Sequence, residues 1–339
     1  AFISCATMPR NPYYSGPVSD HFDGTRFFIP GYSSDKSPAD IWRWRTETRP
    51  KARWPAHDPS PFRDHPPARV SGDDLRVSTI GHASVLIQTQ GLNLLIDPLW
   101  SQRASPVSFA GPKRVNPPGV ALDDLPELDA ILVSHNHYDH LDVPTLRWLA
   151  RHRPARVLTP LGNDAIIRKA VPSLRAQAFD WGARVDLGQG CALHFEPAYH
   201  WSARGAFDRR MALWASFVIT TPAGAIYHIG DTGYHDGAIF RAARDKYPPI
   251  RLAILPIGAY DPRWFMKDQH VDPEEAVRIF GDLGAAWGLA HHWGAFRLTD
   301  EPIDEPPRRL AAALDAAGLP RARFVVRRPG EVYAVPPLI

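Results

Sequence analysis

Short apolar or alternating segments separated by turn residues dominate the chain from residue 75 onward and predict strands. Residues 75–80, 83–88 and 92–96 form the first three segments, with Gly91 at one turn, and predict a meander. Residues 324–335 close the chain as strands that turn at Pro329 and Gly330. Between them, apolar segments of strand length lie at residues 130–133, 156–158, 190–195, 212–220, 225–229, 252–256 and 287–292.

Helical patterns alternate with the later strands, at residues 143–152, 161–170, 273–283 and 307–317. The helix at 273–283 is the best marked, because Asp272 is a suitable N-cap, Pro273 suits the first turn, and two glutamates face the positive helix end. A meander that passes into alternating strands and helices, twice over, predicts two β-sheets sandwiched between helices, within the α/β class.

The first 70 residues lack a sustained period and are rich in proline, aromatic and charged residues, so we predict an irregular arm (1–70) against a single domain (71–339). In the arm, Trp42, Trp44 and Trp54 are interleaved with Arg43, Arg45 and other cations. Such a mixture suits a membrane interface or stacking on nucleobases. The alternative is that the tryptophans pack against the domain while the cations stay in water.

The N-terminus offers a second hint about location. Residues 2–6 resemble the end of a bacterial lipoprotein signal, in which the cysteine, here Cys5, becomes lipidated. A lipidated Cys5 would place the protein on the cell envelope or a membrane. An incidental cysteine in an irregular terminus would leave a cytoplasmic protein.

Composition narrows the function classes. The 339 residues are 44% hydrophobic and 22% charged, which indicates a globular protein. No run approaches the roughly 18 apolar residues of a membrane-spanning helix. The net charge of +3 is too small for the whole surface to attract nucleic acid, and two cysteines form neither a disulfide framework nor a thiolate metal site.

The strongest chemical signal follows the apolar segment 130–133, where four metal-binding side chains occur within six residues: His135, His137, Asp139 and His140. A loop after a strand can direct several side chains into one small volume. Imidazole and carboxylate ligands bind Zn²⁺ at about 2.0–2.2 Å, usually four to an ion. Because other parts of the chain must also contribute ligands, four donors from a single loop exceed the needs of one ion and predict two metals.

Further donors stand where later strands end, at His200, Asp231 and His292. His194 and His228 lie inside strands, which favours packing or hydrogen bonding. His291 and His292 are adjacent, and alternation turns them to opposite faces, so only one of them can be a ligand. Their pattern alone does not choose between them.

These residues, with the segments around them, resemble the metallo-β-lactamase superfamily and, within it, the N-acyl-phosphatidylethanolamine-hydrolysing phospholipase D family. The similarity covers about residues 75–310 and is most specific over 255–276. The segments that carry it are Asp97-Pro98-Leu99-Trp100, Arg103-Ala104-Ser105-Pro106, Gly111-Pro112-Lys113-Arg114, His135 to Asp142, His200-Trp201, Gly230-Asp231-Thr232-Gly233-Tyr234, Leu255 to Ala276 and His292-Trp293-Gly294.

The resemblance implies a four-layer αββα sandwich that holds two Zn²⁺ ions, with other divalent metals as alternatives. The last zinc ligand of the family precedes Trp-Gly, which selects His292. The implied ligands are His135, His137 and His200 for one ion and Asp139, His140 and His292 for the other, with Asp231 bridging them.

For several residues near these ligands we expect a role in binding substrate or in orienting the ligands. Gln269 and His270 resemble family residues that face the substrate, and His270 would donate a hydrogen bond or proton to a phosphate oxygen or leaving group. Asp139 would also orient the attacking hydroxide. Asp97 is expected to orient a histidine ligand, and His82 to act similarly or to be structural. Lys113 and Arg114 would meet anionic headgroups, unless theirs is simply a solvated loop.

The expected activity is that of a zinc-dependent phosphodiesterase of phospholipase D type. A metal-bridging hydroxide would cleave N-acyl-phosphatidylethanolamine-like lipids to N-acylethanolamine and phosphatidic acid. The alternative keeps the fold but changes the substrate, as in a lactonase or phosphoesterase for a small soluble metabolite. The small net charge disfavours a nuclease, and the presence of all seven donors disfavours a non-catalytic scaffold. The expected partners are therefore a phospholipid or other phosphodiester and a membrane surface.

Overall fold

A computed structural model describes residues 10–33, 35–49 and 52–339 of the chain. Cys5 lies outside these residues, so its lipidation stays a prediction. Within the described part of the chain, no helix combines the length and the apolar character needed to cross a bilayer.

The first β-sheet is built mostly from the N-terminal half of the domain. Its spatial order is β14-β1-β2-β3-β4-β5-β6. The strands are β1 (Leu75–Gly81), β2 (Ser84–Thr89), β3 (Leu92–Ile96), β4 (Ala130–Leu132), β5 (Arg156–Pro160), β6 (Ala176–Phe179) and β14 (Val332–Val335). The pairs among β14, β1, β2 and β3 are antiparallel, as the meander pattern predicts, and those from β3 to β6 are parallel.

The second sheet has the spatial order β13-β12-β11-β10-β9-β8-β7. Its strands are β7 (Arg184–Gly188), β8 (Cys191–Glu196), β9 (Ser216–Thr221), β10 (Gly224–His228), β11 (Ile250–Pro256), β12 (Trp287–His291) and β13 (Phe324–Val326). The pairs from β7 to β10 are antiparallel and those from β10 to β13 are parallel. The loops that leave the carboxyl ends of the parallel strands of both sheets lie on one side of the molecule.

Helices cover the outer faces of the sheets. They are α1 (Pro38–Thr46), α2 (Val143–His152), α3 (Asn163–Ala170), α4 (Ala238–Lys246), α5 (Arg263–Met266), α6 (Pro273–Asp282) and α7 (Glu305–Ala316). Apolar residues of α2 and α3 pack on the first sheet, and those of α4, α6 and α7 pack on the second.

The main core lies between the two sheets. Leu94 and Leu132 of the first sheet belong to the same buried cluster as Phe195, Phe217 and Ile254 of the second. This order of layers confirms the predicted αββα sandwich.

The start of α6 forms as its sequence predicts. The Asp272 side chain accepts from the Glu275 backbone N–H at 2.8 Å, and the Glu275 carboxylate accepts from the Asp272 backbone N–H at 3.3 Å. This reciprocal capping satisfies two amides that the first turn leaves unpaired. It also fixes the chain just after Gln269 and His270, two of the predicted substrate-facing residues.

Two strand predictions need correction. The strand expected at 212–220 begins at Ser216, because residues 212–215 belong to the loop that follows β8. The segment 324–335 is not a hairpin, since β13 pairs with β12 in one sheet and β14 pairs with β1 in the other. The turn at Pro329 and Gly330 therefore carries the chain across the sandwich.

The N-terminal arm differs from the expected irregular segment by containing α1, which Ser37 caps through a hydrogen bond to the Asp40 amide. Trp44 of this helix stacks on Phe265 with ring centroids 4.8 Å apart. Trp54 donates from Nε1 to the Glu301 carbonyl at 2.9 Å. Two of the three arm tryptophans thus pack against the domain, whereas the boundary at residue 70 stays a prediction.

Candidate metal centre

Four loops bring the predicted donors together where the two sheets meet. The loop after β4 carries His135, His137, Asp139 and His140, and residues beyond the ends of β8, β10 and β12 supply His200, Asp231 and His292. Because each side chain follows the carboxyl end of a strand, the donors gather at one edge of the sandwich. Residues far apart in the chain therefore face one buried volume.

Asp231 lies at the centre of this group. Its Oδ2 is 3.2 Å from His140 Nε2, 3.5 Å from His200 Nε2 and 3.8 Å from His135 Nε2. Its Oδ1 is 3.2 Å from His292 Nε2. One carboxylate thus faces histidines on both sides, which is the arrangement that a bridging ligand requires.

Asp139 is the second carboxylate of the cluster. Its Oδ2 is 2.9 Å from His82 Nε2, 3.2 Å from His292 Nε2 and 3.5 Å from His140 Nε2. The donors therefore fall into two groups of four and an overlapping group of three, and within each group the ligand atoms lie within 4.8 Å of one another. The groups of four are His135, His137, His200 and Asp231, and His82, Asp139, His140 and His292. The group of three is Asp231, His270 and His292.

His82 is closer to the centre than its expected supporting role requires. It stands in the tight turn between β1 and β2 with a backbone φ of +56°, and both Asp97 (φ +45°) and His292 (φ +60°) are also left-handed. Such backbones cost about 1–3 kcal/mol each for non-glycine residues and often occur at functional sites. The strained turn aims His82 at Asp139, so His82 can either hold Asp139 or act as a ligand.

Asp97 fixes the orientation of one predicted ligand. Its Oδ2 accepts from His140 Nδ1 at 2.7 Å, and its two oxygens also accept from the Ser134 amide and hydroxyl. Because Nδ1 donates to Asp97, the other ring nitrogen, Nε2, is directed toward Asp231. Asp97 therefore has the geometry that its sequence position predicted.

The histidines of the cluster differ in the direction in which their pKa is shifted, because burial dominates for some of them and nearby negative charge for others. Burial lowers the pKa of His137 to about 4 and that of His200 to about 3, and it lowers the pKa of His135 well below 6.5. Burial also acts on His292, but the charges and hydrogen bonds of Asp231 and Asp139 outweigh it and raise the pKa of His292 to about 9. The same two aspartates, with Asp97, raise the pKa of His140 well above 6.5.

The cluster fits a bound metal. Among the described residues, His137 Nε2, His140 Nε2 and Asp231 Oδ1 are buried and have no hydrogen-bond partner. Unpaired buried polar atoms are costly unless they meet a ligand, and imidazole nitrogens with carboxylate oxygens suit Zn²⁺ and similar divalent ions. The donor set fits a divalent cation without fixing which one.

The predicted substrate-facing pair borders the cluster. Gln269 accepts from His200 Nδ1 through its backbone carbonyl at 3.0 Å, so its main chain orients a predicted ligand. His270 is 8% exposed, and its ring centroid lies 5.1 Å from that of His200 and 5.5 Å from that of His292. Burial lowers the pKa of His270 to about 3, so its imidazole is neutral at pH 7.

Lys113 and Arg114, the two cations predicted to meet anionic headgroups, differ in their exposure to solvent. Lys113 is exposed, whereas Arg114 is only 3% exposed. The Arg114 guanidinium donates to the Leu99 carbonyl at 2.6 Å and lies over the Phe296 ring at 4.7 Å. Its contacts are those of a residue that fixes the loop, and Lys113 is the one whose charge faces solvent.

The histidines that the pattern left out of the ligand set also have defined positions. His291 is buried against His228, with ring centroids 4.9 Å apart, and it faces away from Asp139 while His292 contacts that residue. His194 lies 3.3 Å from the Thr220 hydroxyl on the sheet. His291 ends β12, and His292, the next residue, has a left-handed backbone, so the two neighbouring side chains have different surroundings.

Sequence reasoning missed one residue that shapes the metal loop. Arg204, between β8 and β9, donates from Nη1 to the carbonyls of Asn136 and Leu141, both at 2.9 Å. Its guanidinium lies 4.0 Å from the centre of the Tyr138 ring, and the Tyr138 hydroxyl donates to the Arg204 carbonyl. An arginine in a loop carries no local signal of such a contact.

Comparisons with known proteins show the family to which the chain belongs. The Beta-lactamase superfamily domain family matches residues 92–293. The chain is 38% identical to an uncharacterized protein of Mycobacterium tuberculosis over 91% of this chain and 82% of the relative. It is 35% identical to the N-acyl-phosphatidylethanolamine-hydrolyzing phospholipase D 1 of Caenorhabditis elegans over 79% of this chain and 80% of that relative.

Two further similarities concern metal-dependent proteins. A metal-dependent hydrolase of Pyrobaculum aerophilum is 29% identical over 77% of this chain and all of that protein. The solved structure of a metallo hydrolase from Ignicoccus hospitalis superposes with a TM-score of 0.55 at 20% identity, covering 77% of this chain and 97% of that one, and supports the fold. The resemblance seen in the sequence is thereby confirmed: the chain is a metal-dependent hydrolase that belongs to the metallo-β-lactamase superfamily.

Proposed function

We propose that this protein is a binuclear zinc-dependent phosphodiesterase of phospholipase D type. Its substrates would be N-acyl-phosphatidylethanolamine-like lipids, which it would hydrolyse to N-acylethanolamine and phosphatidic acid. The observation that carries the substrate class is the 35% identity to the C. elegans phospholipase over 284 residues, a span that must include most of the domain.

The proposal of two metals rests on Asp231. Its two oxygens face different histidines: Oδ2 lies near His140 and Oδ1 near His292. Three donors besides Asp231 belong to one group, and the neighbouring group is formed around Asp139. His135, His137 and His200 would hold one ion, and Asp139, His140 and His292 the other. Two zinc ions, when bound, make a nucleophile available from water near neutral pH and stabilise negative charge on a phosphate.

Neutral histidines support this assignment. The pKa of His137 is lowered to about 4 and that of His200 to about 3, so both are free of a proton at pH 7 without any change in the protein. A metal ligand must be deprotonated, and here burial has already achieved it. The backbone carbonyl of Gln269 then keeps the ring of His200 in one orientation.

His270 is the residue best placed to contact the substrate. Its Nδ1 is buried and has no hydrogen-bond partner among the described residues, and its ring lies beside those of His200 and His292. Because the imidazole is neutral at pH 7, we propose that it donates a hydrogen bond to a phosphate oxygen and does not serve as a strong acid. It would thus orient the phosphodiester and stabilise its developing charge.

The direct test is hydrolysis by the purified, zinc-loaded protein. An N-acyl-phosphatidylethanolamine in mixed micelles and a soluble lactone should be offered separately, with products identified by mass spectrometry. We expect phosphatidic acid and N-acylethanolamine in equal amounts from the lipid, and no opening of the lactone. Lactone turnover with the lipid untouched would reject the proposal in favour of an enzyme for small soluble metabolites.

A matched pair of variants ties the activity to the site. His270→Ala should reduce lipid turnover by about 10²–10³-fold, the usual loss when one hydrogen-bond donor to the charge of the transition state is removed. His194→Ala, a histidine on the sheet that contacts Thr220, serves as the control and should keep its turnover. Equal activity of both variants would remove His270 from the mechanism.

A further inference from the structure

Two exposed loops flank the metal loop. The first, residues 101–111, carries Phe109 with 80% of its surface exposed and Val107 with 37% exposed. The second, residues 203–210, carries Phe207, which is 87% exposed. An exposed phenylalanine costs free energy in water, so two such rings on neighbouring loops indicate a contact surface.

A cavity of about 500 Å³ opens between the first loop and the metal loop. Three arginines line it, Arg103, Arg147 and Arg204, and Asp142 is the one acid in its described lining. The Asp142 carboxylate already accepts hydrogen bonds from the hydroxyl groups of Ser101 and Thr145. The cavity therefore presents more positive than negative charge.

A second concavity, of about 340 Å³, lies around Phe207. Its lining consists of Arg26, Arg209 and Arg210 with Ala206 and Phe207, and the described lining includes no acid. Arg209 and Arg210 pair with the half-exposed Asp35 at 3.5 and 3.2 Å. Together the two concavities are lined by six arginines and one aspartate.

These loops adjoin the metal centre through aromatic contacts. The Arg209 guanidinium lies 3.8 Å from the centre of the Trp201 ring, and the Trp201 ring centroid is 4.4 Å from that of His137. On the other side, Arg204 lies over Tyr138 of the metal loop. The surface of both loops, with Phe109, Phe207 and the six arginines, is called the basic aromatic face below.

We propose that the basic aromatic face docks the protein on bilayers that contain anionic phospholipids. Phe109 and Phe207 would enter the headgroup region, where aromatic rings are favoured. The exposed Arg147 would bind lipid phosphates, and the arginines that are engaged with carbonyls or with Asp35 would add positive charge to the face. The apolar neighbours of the two rings, Pro106, Val107, Ala110 and Ala206, favour a bilayer over a polar partner. This inference rests on the proposed lipid substrate, which must be reached at a membrane surface.

This face is distinct from the tryptophan-rich part of the arm, for which the sequence allows either a membrane interface or packing against the domain. Trp44 stacks on Phe265 and Trp54 donates to Glu301, so these two rings pack against the domain. Trp42 is 71% exposed, so it offers a matched control for the two phenylalanines. The two locations can thus be distinguished by experiment.

The test is cosedimentation of the full chain with vesicles of phosphatidylcholine alone or mixed with one fifth phosphatidylglycerol. Neither lipid carries an N-acyl headgroup, so binding is measured apart from the proposed hydrolysis. We expect the double variant Phe109→Ala, Phe207→Ala to bind the mixed vesicles at least tenfold more weakly than the wild type. Trp42→Ala should change binding less than twofold.

Charge is tested with Arg147→Gln, because Arg147 is exposed and lines the larger cavity. This variant should lose about fivefold in affinity for the mixed vesicles, as expected for one cation near an anionic surface, and nothing for phosphatidylcholine alone. Raising the salt should weaken wild-type binding to the mixed vesicles. Equal losses on both vesicle types would contradict the role of charge.

Three results would overturn the proposal. The double phenylalanine variant could bind vesicles like the wild type, or Trp42→Ala could show the larger loss. A labelled single-stranded oligonucleotide could also bind, lose its affinity in the double variant and leave vesicle binding unchanged, which would assign the face to nucleic acid.

Unchanged thermal unfolding and unchanged cleavage of a water-soluble phosphodiester by the double variant would exclude misfolding. If no phosphodiester is cleaved at all, the proposed function fails while the docking result still stands.

Discussion

His140 Nδ1 and Asp97 Oδ2 are 2.7 Å apart, and both side chains are fully buried. Asp97 cannot turn away, because the amide and hydroxyl of Ser134 also donate to it. The hydrogen bond therefore determines which nitrogen of His140 faces Asp231. A buried aspartate at the end of β3 thus controls a candidate ligand that follows β4.

Replacing that aspartate should weaken metal binding while leaving the shape of the site intact. We expect Asp97→Asn to lower zinc affinity by about 10–100-fold, the usual effect of losing an anion that orients a histidine ligand. Competition with a chromophoric chelator measures this change. Asp64→Asn, in which the lost partner is Arg76 away from the cluster, is the control and should bind zinc like the wild type. Equal affinities in all three proteins would contradict the orienting role of Asp97.

The proposed bridging role of Asp231 predicts a specific loss of metal when this residue is replaced. Elemental analysis of the zinc-loaded wild type should give two ions per chain, and Asp231→Ala should lose at least one of them with the fold retained. His292→Ala should likewise lose metal and activity, whereas His291→Ala, altered at the last residue of β12 where the ring packs against His228, should lose much less. Two ions in Asp231→Ala, or equal losses for the two histidines, would show that the ligands are assigned wrongly.

Metal loading should release protons. In the metal-free chain Asp231 and Asp139 raise the pKa of His292 to about 9, so below that pH the ring is protonated and must lose a proton to become a ligand. A pH indicator in weak buffer should record proton release when zinc is added at pH 7, and the release should decline as the pH rises through 9. His292→Ala should release about one proton fewer at pH 7. Identical release from both proteins would contradict this prediction.

A second histidine links the arm to the domain in a pH-dependent way. His21 lies between Asp20 at 2.6 Å and Asp180 at 2.7 Å, and its ring stacks on Trp181. Burial lowers the pKa of His21, but the two aspartates outweigh it and raise it above 6.5. The folded state therefore favours the protonated ring. This stabilisation is complete below the unfolded pKa of about 6.5 and is lost as the pH rises through the higher folded value.

The measurement is the free energy of unfolding of the wild type and of His21→Asn in urea. The wild type should be the more stable protein at pH 6, and the difference should shrink at pH 9. Contributions from the other histidines cancel in the comparison. A difference that stays constant or grows with pH would mean that His21 is not held by its charge.

Much of the site could be predicted because its signals are local. Four donors occur within six residues directly after an apolar segment. The rule that metal ligands often follow the ends of strands is enough to identify them as candidate ligands. Asp272 and Glu275 likewise carry a complete capping pattern within four residues. The sheets were predictable where short, largely apolar segments are separated by turn residues, as in β1, β2 and β3.

The remaining features depend on contacts between distant parts of the chain. His82 meets Asp139 across 57 positions, and Arg204 meets Asn136 across 68. No periodicity records such contacts. The edge strands β6 and β7 were both missed, because their partly exposed residues give a weak pattern. The packing of Trp44 on Phe265 could not be predicted from a sequence in which tryptophan and arginine alternate.

The proposed reaction requires water to attack the phosphorus of the phosphodiester. Isotope labelling shows directly which bond is broken. The zinc-loaded protein should hydrolyse an N-acyl-phosphatidylethanolamine in water enriched in ¹⁸O, and the products should be weighed by mass spectrometry. Attack at phosphorus breaks the bond between phosphorus and the ethanolamine oxygen. We therefore predict one ¹⁸O in the phosphate of phosphatidic acid and none in the N-acylethanolamine. Label in the N-acylethanolamine, or in a fatty acid released from the glycerol, would contradict it.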